Sequence, residues 1–98
     1  MPLSRDDILK VLHDSRPLLD VFGVAQLSLF GSFARDEGRE DSDVDLLVEF
    51  NRPIGLFEFA RLQRQLAELI GHPVDLVTPA ALKPQLRDRI LDEAVVAA

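Results

Sequence analysis

Three aspartates and a glycine–serine pair are the residues in this chain with chemistry to do. Asp43 and Asp45 stand two apart at the head of an apolar run that continues to Phe50. Side chains alternate across a strand, so both carboxylates leave one face, a few ångströms from each other. Two ionised carboxylates so placed repel, and burial raises their pKa values unless a cation lies between them. A divalent metal is the common answer, and hard oxygen donors suit magnesium or manganese. A pair that simply ends a strand in water is the plainer alternative. Asp75 weighs toward the metal, because it interrupts Val74-Asp75-Leu76-Val77, where a charge is unfavourable unless its face opens on a site. Three converging carboxylates can hold two metal ions about 3.5–4 Å apart, the arrangement used for phosphoryl and nucleotidyl displacement. A calcium loop is excluded: acids at Asp41, Asp43 and Asp45 would need Gly at the sixth position and Glu at the twelfth, which are Leu46 and Arg52.

Gly31-Ser32 supplies the complementary half. It follows a strand-like segment ending at Phe30 and precedes a helical turn, Phe33-Ala34-Arg35. Glycine lets a phosphate approach the backbone closely, and free peptide N–H groups at a helix start favour negative charge. Ser32 adds a hydroxyl donor and Arg35 a cation. A turn glycine followed by an ordinary capping serine would look the same, so the spacing to the acids carries the reading.

Elements must position these groups, and the hydrophobic pattern supplies them. Ser4 and Asp7 mark a helix start with an apolar stripe of Ile8, Leu9, Val11 and Leu12. Ser15 and Pro17 open a second short helix, which Gly23 ends. Val24–Phe30 reads as a first strand and Val44–Phe50 as a second, nearly continuous in apolar residues and therefore central. Leu56–Ile70 is the longest helix, with Phe59, Leu62, Leu66 and Leu69 at three- and four-residue steps. Val74–Val77 is a short third strand, Thr78-Pro79 begins a helical turn, and a last helix from Pro84 turns Leu86, Ile90, Leu91 and Ala94 inward. The order α-α-β-α-β-α-β-α predicts an α/β (α+β) domain in which one sheet is covered by helices.

Length and charge bound the function classes. The 98 residues suit one domain spanning 1–98, with no repeat or linker-like run to divide it. The chain has no cysteine, which excludes a disulfide scaffold, a thiolate zinc site and a thiol nucleophile, and fits a reducing, cytoplasmic setting. No apolar run approaches the roughly 20 residues of a bilayer span, and no signal peptide is expected at the N-terminus. Of the net charge of −6, −5 falls between Asp36 and Asp45, where six acids accompany Arg39 alone. Direct nucleic-acid binding is not expected, because it depends on clustered Lys and Arg.

Gly31-Ser32, ten residues, then Asp43-Val44-Asp45 resembles the signature of the DNA polymerase β-like nucleotidyltransferase superfamily. The longer runs Leu29 to Arg35 and Asp41 to Phe50 resemble its smallest members, the minimal nucleotidyltransferases (MNT-type antitoxins), and Gly55-Leu56-Phe57, Val74 to Pro79 and Leu82 to Ala94 extend the likeness over nearly the whole chain. The resemblance implies a nucleotidyltransferase fold with a mixed three-stranded sheet flanked by helices. It implies that Gly31 and Ser32 hold the triphosphate of ATP, to which the nearby Arg35 adds its cation, and that Asp43, Asp45 and Asp75 are catalytic and bind two Mg2+ ions, or Mn2+. It further implies an antitoxin that transfers AMP to a tyrosine of a helical HEPN-type toxin. Two other readings share the fold: an antitoxin that neutralises by masking its partner, and an enzyme that adenylylates a small molecule with a helper subunit. Asp36 departs from the pattern, which often has Gly there. The acceptor should come from another macromolecule, since little chain is left to build a pocket for it. With no Tyr or Trp, base contacts fall to apolar residues such as Phe30 or Phe33. His13, His72, Arg61 and Arg64 show no ligand or reader spacing and are assigned no role, while Phe57 is a candidate interface residue.

Overall fold

The computed structural model describes residues 3–98. Ten elements follow the expected order: α1 (Arg5–Asp14), α2 (Arg16–Val21), β1 (Val24–Phe30), α3 (Gly31–Ala34), β2 (Val44–Phe50), α4 (Leu56–Ile70), β3 (Val74–Val77), a 3-10 turn (Pro79–Ala81), α5 (Pro84–Glu93) and β4 (Val95–Val96). Local chemistry sets the boundaries. Ser4 Oγ accepts from the Asp7 N–H at 3.1 Å while the Asp7 carboxylate accepts from the Ser4 N–H, a reciprocal cap that satisfies two otherwise free donors.

The sheet runs β3-β2-β1-β4. β1 and β2 are antiparallel, β2 and β3 parallel, and β4 pairs antiparallel with β1. The three expected strands are thus joined by a fourth, two residues long, in which Val95 and Val96 face Leu29 and Ser28. A two-residue strand has no detectable period of its own; pairing with β1 creates it.

One face of the sheet carries the core. Leu27, Leu29, Val44, Leu46, Val48, Val74 and Leu76 are buried there against Ile8, Leu12, Leu19, Leu62 and Leu66 from the helices. The parallel pairing of β2 with β3 requires a crossover, and the 15-residue α4 supplies it. Burial follows the expected alternation along β2, where Val44, Leu46 and Val48 are inside and Asp45 is half-exposed on the opposite face.

Two expectations about helix faces are corrected. Leu86 and Leu91 of α5 are exposed, at 44% and 45%, and no α5 residue is fully buried, because the helix packs chiefly on the four-residue α3. In α4, Leu62, Leu66 and Ile70 form the buried stripe, whereas Leu69 is exposed and Phe59 is half-buried against Phe50. Among the described residues no helix is long and apolar enough to cross a membrane.

Candidate active site

Strand register assembles the site on the face opposite the core. Phe30 at the end of β1 pairs with Asp45 of β2, and Asp45 in turn pairs with Asp75 of β3. The chain turns at Gly31, with φ +75°, to start α3 directly beside Asp45. A Cβ at position 31 would lie 2.1 Å from Asp45 Oδ2, so glycine is required both by the backbone conformation and by the approach of the carboxylate. Two residues 62 apart also meet here: Glu93, the last residue of α5, accepts through Oε1 from the Gly31 N–H at 3.1 Å, and through Oε2 from Arg35 Nη1 at 2.9 Å.

Each expected residue has a definite place. Asp45 is half-exposed within β2, and Asp75 is exposed in β3. Asp43 lies just outside β2, which begins at Val44, and is exposed rather than fixed as a strand residue. Burial, followed by the charges of Asp75, Asp43 and Glu93, pushes the Asp45 carboxyl up to about 6, with Arg35 opposing the rise. Ser32 is partly exposed next to Gly31. Arg35 is not a free cation: its Nε also donates to Glu37 at 3.2 Å, and the contacts to Glu37 and then Glu93 raise its pKa, holding it protonated.

Hard oxygen donors whose charges add to the rise at Asp45 suit a divalent cation. Asp45 and Asp75, neighbours across parallel strands, would be its first ligands, with Asp43 reaching in from the loop. Among the described residues, no three His, Cys, Asp or Glu side chains are already grouped closely enough to hold an ion. The donor chemistry therefore fits the metal, and side-chain rotation must complete the ligand set.

Other expectations shift. Phe30 and Phe33 are buried, so neither presents a free face to a base. Phe33 instead touches His72 edge-on, with ring centroids 5.3 Å apart, and its ring lies so close to Gly38 that a Cβ there would sit 2.3 Å from it. His72 Nε2 donates to the Ser42 carbonyl, which fixes the ring as a structural tie at the approach to β2. Phe33, Gly38, Arg39 and His72 line a pocket of about 520 Å³ whose lining includes none of the three aspartates. Asp36 has φ 59°, the left-handed backbone that favours glycine, and its Oδ1 accepts from the Arg5 N–H at 3.4 Å. Its charge is thus directed at the first turn of α1. Glu93 is the residue sequence reasoning missed: it stood inside the resembling C-terminal run, but no spacing tied it to Gly31.

A glycine turn that cradles an anion beside paired acids at the end of a mixed sheet defines a nucleotidyl-transferring site, and the family comparison agrees. The profile of the nucleotidyltransferase domain matches residues 7–97, and the chain belongs to that family. Protein adenylyltransferase MntA of Thermococcus cleftensis is 41% identical over 94 residues, which cover 95% of each chain. A solved structure provisionally described as a minimal nucleotidyltransferase matches with a TM-score of 0.81 and 38% identity over 94% of both chains. The fold is also that of a chain in a crystal structure of a toxin–antitoxin with AMP-PNP, with TM-score 0.69 and 23% identity, covering 98% of this chain and 73% of that one. The chain is a nucleotidyltransferase.

Proposed function

We propose that this chain is a protein adenylyltransferase of the antitoxin type, a single domain over residues 1–98 that moves AMP from ATP to a tyrosine hydroxyl of a helical HEPN-type toxin in the cytoplasm. The observation that carries the reading is the convergence of Asp45, Asp75 and the Gly31 turn on one sheet face. The likeness to MntA supports adenylyl transfer, and the likeness in fold to a toxin–antitoxin chain supports the partner.

In this reading Gly31 N–H, Ser32 Oγ and Arg35 hold the phosphates, and Asp43, Asp45 and Asp75 hold Mg2+, or Mn2+. When bound, the metal ions neutralise the phosphate oxygens and lower the pKa of the attacking hydroxyl. The acceptor oxygen attacks the α-phosphorus, the bond to the β-phosphate oxygen breaks, and pyrophosphate leaves. In the same reading Asp75, exposed on the edge strand beside Asp45, takes the hydroxyl proton. The partner supplies the acceptor pocket, and Leu56 and Phe57 at the start of α4, 79% and 88% exposed, are candidate contacts for it away from the acids.

The test is incubation with ATP, magnesium and the co-purified partner, followed by intact mass. An increment of one or more AMP units on a partner tyrosine is expected; an unmodified partner overturns the proposal. One rival shares the fold: neutralisation by masking. Toxin neutralisation that survives Asp43→Asn with Asp45→Asn would decide for it.

A further inference from the structure

The Gly31 N–H and Arg35, two groups assigned above to the triphosphate, are both engaged by one carboxylate of the protein itself. Glu93 spans them, Oε1 on the amide at 3.1 Å and Oε2 on the guanidinium at 2.9 Å. A carboxylate shared between a backbone N–H and an arginine reproduces two contacts that a phosphate makes at such a site. A peptide N–H has one hydrogen, so a phosphate oxygen that takes it must dislodge Oε1. The Glu93 side chain is only 21% exposed and carries its charge toward Asp45, where a further anion is unfavourable.

We infer that Glu93 is an internal phosphate mimic that competes with the nucleotide for Gly31 and Arg35, and so sets nucleotide affinity. The inference rests on the nucleotide-binding role proposed for those two residues. The helix that carries Glu93 is free to yield: α5 buries no residue fully, and the backbone pairing of Val95 and Val96 with β1 holds the chain beyond it in place. Glu93 therefore swings on its own side chain or on the last turn of α5 while the sheet stays paired. Release of the carboxylate also frees Arg35 to follow the phosphates, with Glu37 as its remaining partner.

Calorimetric titration of the full chain with Mg·ATP, and with magnesium tripolyphosphate as a probe lacking base and sugar, tests this on wild type, Glu93→Ala and Glu93→Gln. Removing a charge-assisted competitor should tighten binding of both probes about fivefold or more in Glu93→Ala, with Glu93→Gln between it and wild type. The Gly31 amide resonance should move on tripolyphosphate addition in all three proteins. If Glu93→Ala fails to fold, as judged by its melting curve, the near-isosteric Glu93→Gln carries the comparison. Wild type that binds while the folded variants bind no tighter, or more weakly, overturns the competition and leaves the nucleotide site standing. If no protein binds either probe, the assignment of Gly31 and Arg35 falls, and the inference with it.

Discussion

At the scale of single residues, the site is governed by close approach and by unbalanced charge. Gly31→Ala puts a Cβ where Asp45 Oδ2 lies and forces an L-residue to φ +75°. The backbone strain is worth about 1–2 kcal/mol, and Asp45 must rotate away. Transfer activity should fall at least about tenfold, measured by label incorporation against a folding control. Asp45 gives a pH signature. Its carboxyl titrates near 6 in the folded chain, above its unfolded value, so the folded state holds the proton more tightly. Stability contributed by this group is therefore lost as pH rises from about 4 to 6 and stays lost above that. Without divalent ions, Asp45→Asn should be more stable than wild type at pH 7–8, by about 1 kcal/mol after allowing for solvent screening. That advantage should shrink toward pH 4 in urea unfolding curves. Adding Mg2+ should raise the melting temperature of wild type and do less for the variant. Asp36 offers a third test, because its φ of 59° suits glycine and penalises branched side chains. Asp36→Val should lose about 1–2 kcal/mol, while Asp36→Gly stays within about 1 kcal/mol of wild type, by thermal denaturation.

At the scale of elements, stability is unevenly distributed. α4 presses Leu62 and Leu66, both fully buried, into the core and serves as the crossover that makes β2 and β3 parallel. Leu66→Ala should therefore destabilise by about 2–5 kcal/mol. In α5 the same chemical change at Leu86 or Leu91 should stay near 0.5 kcal/mol, since both are exposed. Paired denaturant titrations check the contrast. The same asymmetry explains what the pattern conveyed. Strand β2 was legible because Val44 to Phe50 is nearly continuous in apolar residues, and α4 because its stripe has a helical period. The inward face expected of α5 was not, because periodicity identifies an apolar face without identifying anything to cover it.

For the whole molecule, charge and exposure set the relation to a partner. Most of the net charge of −6 falls on the loop that delivers Asp43 and Asp45, so a cation bound there offsets repulsion inside the protein as well as on the nucleotide. The double change Asp43→Asn and Asp45→Asn should cut AMP transfer at least about a hundredfold. Complex formation with the partner should persist, and co-purification with quantitative intact mass separates the two effects.

Short-range chemistry was readable from the sequence alone. The Gly31-Ser32 turn and the helix and strand periods depend on residues a few positions apart, whereas the same-face pairing expected of Asp43 and Asp45 does not extend to Asp43, which lies outside β2. Tertiary structure decided the rest. Parallel register brought Asp75 beside Asp45, packing turned Phe33 inward against His72, and the chain's return through β4 set Glu93 on Gly31. Spacing along a chain encodes which face a side chain leaves. Which distant face it meets depends on strand pairing and crossover, and those are settled only when the sheet and its helices bury one another.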